Sequence, residues 1–244
     1  VPIGRLVAAV PEDELGDTLI LVPSSVPVFT LGAFRTVELQ PVVTLPSYTL
    51  PQVRTLPSAR PIFTEGVALN RFVEGDRSLH LKADNSYLRV LSVDESTSFN
   101  VGDSVRVAGR TAVDQGVPVL DGQTVYRLAA TGRTPTPISL STGEAAGARG
   151  GSLDAALVRV TSGTILEVTD EGNKGVVLRI DDGTGSLRLR FRSFFVVNPL
   201  FFQVGSDYFQ FATGLLVPVR VNDQVVWEIR PRTVEDVQII RPSS

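Results

Sequence analysis

From about residue 61 onward, apolar and polar positions alternate with the two-residue period of half-buried strands, not the 3.6-residue period of helices. GVALNRFVEGDRSLHLKADNSYLRVLSV (66–93) holds three strand-like runs separated by polar turns. SFNVGDSVRVAGRTAVDQGVPVLDGQTVYRLA (98–129) alternates around Val101, Val105 and Val107, with Gly-Asp at 102–103 and Asp-Gly at 121–122 as hairpin turns. A second set follows: LDAALVRVTSGTILEVTDEGNKGVVLRIDDGTGSLRLRFRSFF (153–195) predicts strands broken by turns, and YFQFATGLLVPVRVNDQVVWEIRPRTVEDVQII (208–240) adds three more. LDAAL is the best candidate for a brief helical turn, although its continuation into VRV favours a strand. Between the sets, TGRTPTPISLSTGEAAGARGGS (131–152) is poor in apolar residues and rich in Gly, Thr, Ser and Pro, the composition of a linker or exposed crossing loop.

The first quarter differs. Nine of the sixteen prolines fall at or before Pro61, and the tripeptide TLP recurs at 44–46, 49–51 and 55–57. Proline cannot donate to a strand ladder, so this spacing predicts an extended arm or edge strand. Yet LILVPSSVPVF (19–29) and VELQPVVTLPSYTLPQV (37–53) are too apolar for a disordered linker. Such an arm needs a surface, either its own domain or a neighbouring chain that accepts an added strand. PEDELGD (11–17) has room for one turn of helix.

The resulting organisation is all-β: an arm (1–60), a first unit (61–130), a linker (131–152) and a second unit (153–244). Two compact units fit a chain of 244 residues with 43% hydrophobic content. Cysteine is absent, which excludes disulfides and thiolate metal sites. The formal net charge of −3 leaves no global attraction to phosphate backbones, so any nucleic-acid site must be a local patch. Methionine is absent even at position 1. Removal of a secretory signal is the preferred reading, and it places the chain outside the cell or on the cell surface. No run approaches the ~18 consecutive apolar residues of a membrane-spanning helix.

VGDSVRVAGR (101–110) resembles the strand of small OB-fold barrels that begins with Gly-Asp and reaches a glycine after alternating valines. LDAALVRV (153–160), DDGTGSLRLR (181–190), ATGLLVPV (212–219) and PRTVEDV (231–237) occur in the order found in OB-fold-like modules associated with secreted bacterial nucleases and phosphoesterases. The resemblance covers roughly 60–130 and 151–240. It implies two small OB-like Greek-key β-barrels in tandem, preceded by the extended Pro-rich N-terminal arm. The physical reading agrees, because closing a short sheet removes its edges and glycine at bends lets strands coil tightly; Gly66, Gly109, Gly163 and Gly214 are candidates. The first copy lacks a counterpart of LDAALVRV, which leaves an edge for the arm to cover.

Catalysis has the least support. The one histidine, His80, shares an alternating strand face with Ser78 and Lys82, which predicts a solvent-facing residue. Neither G-x-S-x-G nor G-x-x-x-x-G-K-[ST] occurs. Asp181 and Asp182 stand in DDGTG, where a turn accounts for them. A calcium loop begun at Asp181 would need Gly and Glu where the chain has Ser186 and Arg192. No catalytic residue, metal or cofactor is expected.

LRLRFR (187–192) is the strongest local pattern. Leu187, Leu189 and Phe191 face one way, and Arg188, Arg190 and Arg192 face the other. A cationic row beside Phe194 and Phe195 is what a single-strand binding OB-fold needs. The favoured alternative is a solvated face whose arginines pair with acids such as Glu167 or Asp170. Eight of the seventeen aromatics lie between Phe191 and Phe211, more than one small barrel encloses, so some should sit in a contact. These observations favour a non-catalytic secreted or cell-surface structural protein that associates with copies of itself or with a larger surface assembly. Leu45, Tyr48, Leu50 and Val53 of the arm and Phe194, Phe195, Phe201 and Phe202 of the loop would make that contact. The alternative is a module for single-stranded nucleic acid, or for oligosaccharide, accessory to a secreted enzyme.

Overall fold

In the computed structural model, residues 45–71, 78–93 and 98–241 are described. The expectations for the arm before Leu45, including the helical turn at 11–17 and the apolar stretch 19–29, lie outside these residues. The first unit opens with a four-residue helix, α1 (Leu50–Val53). The side chains and backbones of Thr49 and Gln52 form its capping box, and Pro51 stands where the helix needs no N–H. Five strands follow: β1 (Pro61–Ala68), β2 (Leu79–Ala83), β3 (Ser86–Leu91), β4 (Ser104–Asp114) and β5 (Val117–Ala129).

They form a closed barrel in the order β1-β2-β3-β5-β4, with β1 antiparallel to β4 and β3 parallel to β5. This five-stranded Greek key is the OB-fold arrangement. Its core contains Ile62, Leu79, Leu81, Leu88, Val90, Val105, Val107 and Leu120, the apolar half of each alternating run. Leu50 and Val53 complete that core and are buried within the same chain, with Tyr48 packed against it. The end of the arm thus caps its own barrel. Leu50 and Val53 are not available for the contact with another copy expected of them, because each apolar side chain gains about 1.5–3 kcal/mol from burial here.

The stretch expected to be a linker carries structure. It holds β6 (Ile138–Ser139) and α2 (Thr142–Gly147), a helix capped by Ser141, which accepts from the Glu144 N–H while Glu144 reaches back. Leu140, Ala145 and Ala148 are buried in the second core. Then come β7 (Leu157–Asp170), β8 (Val176–Asp181), β9 (Leu187–Phe191), β10 (Tyr208–Val221), β11 (Gln224–Arg230) and β12 (Val237–Ile240). LDAAL makes turns that lead into β7.

These strands form one sheet, ordered β12-β10-β11-β9-β8-β7-β6, in which β10 also pairs with β7. Following the pairings β7-β8-β9-β11-β10-β7 returns to the start. β9 is parallel to β11 and β7 antiparallel to β10, the same sequence of relations as in the first unit. The two chain segments correspond at Gly109 and Gly214, in the fourth strand of each ring. A Cβ at either would lie 2.4 Å from a backbone carbonyl of the adjacent strand, so only glycine permits the approach.

The units meet through the outer face of β2 and β3. His80, expected in solvent, is buried, its ring within 3.3 Å of both the Ser78 hydroxyl and the Ala155 carbonyl. Arg54 donates to the Tyr87 and Gly151 carbonyls, and Arg232 donates to the Leu69 carbonyl. Tyr87 and Leu69 join the core cluster of the second unit. The loop before β7 supplies what the first barrel packs against.

Candidate functional site

In β9, Leu187, Leu189 and Phe191 point into the second core, so Arg188 and Arg190 project from the outer face. The parallel register of β11 sets Glu228 beside Arg188 and Ile229 beside Leu189. Glu228 is fully buried beneath the arginines. Arg190 donates from Nε to Glu228 Oε1 at 2.8 Å, Arg230 donates to the same oxygen at 2.8 Å, and Arg188 Nε lies 3.6 Å from Oε2. A second acid closes the network from above: Glu171 accepts from Arg190 Nη1 at 2.8 Å through Oε2 and from Arg188 Nη2 at 3.2 Å through Oε1.

Two connections flank this face. The β7–β8 loop carries Glu171 and Lys174 and re-enters the sheet at Gly175, whose φ of 97° and close approach to the Phe191 carbonyl exclude a side chain. The β10–β11 hairpin turns through Asn222 and Asp223 at φ of 48° and 62°, the paired positive values of a tight two-residue turn. Between them lies a groove of about 450 Å³ lined by Glu171, Lys174, Arg188, Arg190, Val219, Arg220, Val221 and Asn222. Four cations and one carboxylate line it. OB-folds take oligonucleotides and oligosaccharides on this part of the barrel, the face of the second and third strands between the first–second and fourth–fifth strand loops.

The electrostatics are those of a charged cluster held together by hydrogen bonds. The bond from Arg190, ahead of the opposing desolvation, holds the Glu171 carboxyl below the usual carboxylate range. Burial disfavours the Arg190 cation, but the bonds to Glu171 and Glu228 outweigh it and raise its pKa. Removing either acid would leave guanidinium groups partly desolvated with less countercharge.

The equivalent face of the first barrel is closed. There the outward residues His80, Tyr87 and Arg89 are buried: His80 reaches the Ala155 carbonyl, and Tyr87 belongs to the core cluster of the second unit. Arg89 reaches Asp114 at 2.7 Å. Of two related faces, one is spent on joining the units and the other is open.

The remaining expectations divide. Arg188 and Arg190 do share a face, and they pair with acids, but with Glu171 and Glu228; Glu167 pairs with Arg179 instead. Arg192 follows the end of β9 and stands just before the short helical turn 193–195, which packs against the β7–β8 loop. Phe195 and Phe202 lie partly buried against Phe191, at ring separations of 6.1 and 6.0 Å, while Phe194 lies tilted by 34° to Phe195 at 4.2 Å and stays exposed. Val196, Leu200 and Phe201 are 89%, 87% and 71% exposed. Leu45 is half-buried beside the bridge from Ser47 to Phe63. Asp181 and Asp182 serve the turn: Asp181 accepts from Gly183 N–H, and Asp182 accepts from Thr184 and from Thr142 of α2. Lys174, Arg220, Glu171 and Glu228 escaped the sequence reading, since only the β9–β11 register and the two loops bring them to Arg188 and Arg190.

No family model matches the chain, and no curated protein matches it. Among solved structures, a murine DNA-binding protein determined with double-stranded DNA is 14% identical, over 75% of this chain and 99% of that one, with a TM-score of 0.39. The telomere capping protein Ten1 from Saccharomyces pombe is 14% identical over 34% of this chain and 81% of its own, with a TM-score of 0.30. The E. coli hypothetical protein ygiW is 14% identical over 36% and 94%, with a TM-score of 0.31. At these values the likenesses assign no activity.

Proposed function

We propose that the chain is a non-catalytic binding module that holds single-stranded nucleic acid in the β9 groove. In this reading the chain is two OB-like units in tandem, and the first serves as a platform because its own outer face is occupied. The observation that carries the reading is the open groove with Lys174, Arg188, Arg190 and Arg220 around it, at the position where OB-folds take extended ligands. Phosphates would meet the cations, and exposed Phe194, beyond the β7–β8 loop, offers a ring on which a base stacks.

Lys174 and Arg220 are the informative residues to change, because they stand on the rim, outside the Glu228 cluster. Fluorescence anisotropy with a short labelled oligothymidylate should show binding that weakens steeply between about 50 and 200 mM salt. Lys174→Ala and Arg220→Ala should each weaken it by roughly three- to tenfold and flatten the salt dependence. Absence of binding at the lower salt, or binding indifferent to both substitutions, contradicts the reading.

A second reading, association with another protein chain, is favoured by one observation: the apolar side chains of Val196, Leu200 and Phe201 face solvent together on the β9–β10 connection. Light scattering on a Leu200→Ser, Phe201→Ser variant tests it; a fall in particle mass supports association, and a monomer before and after removes it.

A further inference from the structure

Arg188, Arg190 and Arg230 surround Glu228, which leaves three guanidinium groups on one buried carboxylate. The second carboxylate, Glu171, comes from a different kind of position. It stands at the head of a short loop, is 26% exposed at its side chain, and lies among the residues that line the groove. Its two oxygens contact two different arginines at 3.2 and 2.8 Å, the two-point contact that a phosphate's oxygens make with guanidinium groups. The loop backbone is held independently of that contact: Gly172 N–H donates to Asp170 Oδ1 at 2.9 Å and Glu171 N–H donates to the Gly175 carbonyl at 2.9 Å. The Glu171 side chain can therefore rotate away without unfolding the loop.

We infer that Glu171 is a tethered competitor occupying the phosphate position on Arg188 and Arg190, and that a nucleic-acid phosphate binds there by displacing it. The exchange of one anion for another leaves the cluster's charge balance intact, which is what the buried Glu228 and its arginines require. Glu171 thereby holds off isolated small anions, which reach only this position, and yields to a polyanion whose other phosphates engage Lys174 and Arg220. This rests on the reading of the groove given above.

The test compares wild type, Glu171→Gln and Glu167→Gln. The last removes an equal charge from the exposed Arg179 pair and leaves Arg188 and Arg190 untouched. Each is titrated with the labelled oligothymidylate over a salt series, and with inorganic pyrophosphate read as the shift in thermal midpoint. Glu171→Gln should bind the oligonucleotide roughly three- to twentyfold tighter, with a steeper salt slope, because in wild type the displaced Glu171 carboxylate takes back a counterion as the phosphate releases one. Pyrophosphate should raise its midpoint and leave that of wild type unmoved. Glu167→Gln should match wild type. If wild type binds the oligonucleotide and Glu171→Gln binds no tighter, with an equal slope, the competitor role is wrong and the groove reading stands. If pyrophosphate stabilises Glu171→Gln while neither protein binds the oligonucleotide, the competitor role stands and the nucleic-acid reading falls. No response from any protein to either probe overturns both. Thermal midpoints measured without ligand verify that each variant is folded.

Discussion

Replacing Asp154 by asparagine isolates one group whose ionisation opposes folding. Asp154 sits in the loop that joins the two units and is fully buried, and among the described residues no side chain hydrogen-bonds either carboxylate oxygen. Arg54 Nη1 approaches no nearer than 3.9 Å, and Arg89 is engaged by Asp114. Burial therefore dominates the attraction of Arg89 and Arg54 and pushes the Asp154 carboxyl from its ordinary 3.8 to about 6. Between these values the folded chain keeps a proton that the unfolded chain releases. The resulting stability is fully present below the unfolded value and is lost as pH rises through about 6. A shift of about two pK units corresponds to about 3 kcal/mol. Urea unfolding of wild type and Asp154→Asn from pH 4 to pH 8, followed by the fluorescence of the single tryptophan, Trp227, measures it. Taking the difference between the two proteins removes the other carboxylates, such as Asp182, whose bonds to Thr184 and Thr142 overcome burial, lower it to about 2 and act in the opposite direction. The wild type should gain about 2–3 kcal/mol relative to the variant on going from pH 7 to pH 4, most of it between pH 6 and pH 4. A difference that is flat with pH, or a wild type that gains as pH rises, refutes the argument that burial outweighs the arginines.

Two further outcomes follow from packing and charge. Leu50→Ala should cost about 2–5 kcal/mol in urea unfolding, because Leu50 is fully buried in the first barrel; a neutral effect would mean that the helix does not cap the barrel. Glu228→Ala should cost about 3 kcal/mol or more in thermal or urea unfolding, since three arginines lose the carboxylate they share, whereas Glu167→Ala at the exposed Arg179 pair should cost about 1 kcal/mol or less.

Local alternation made the strands legible. LRLRF separates core from outer face at every position, and DDGTG forms the turn its composition implies. What the residues left out is what distant pairing decides. Glu228 in QVVWEIR is one alternating residue among several until β11 lies parallel to β9, and Glu171 is one of several turn acids until its loop folds over Arg188. Composition misled in two places. The small residues of 131–152 resemble a linker, yet Ser141 and Glu144 cap a helix whose Ala145 enters the core. The prolines around TLPQV suggest extended chain, yet Pro51 suits the first turn of the helix that brings Leu50 and Val53 into the barrel. His80 alternates as a surface residue should, and it is buried because a second unit packs on that surface. A single unit's pattern contains no signal for that.

The central claim is that the open face of the second unit holds the ligand and the covered face of the first does not. Amide chemical shifts recorded while a short oligothymidylate is added locate the contact directly. The account predicts changes concentrated at Glu171–Gly175, Arg188–Arg192 and Val219–Asp223, with the amides of β2 and β3 unmoved. Changes centred on β2 and β3, or none at saturating oligonucleotide, would contradict it.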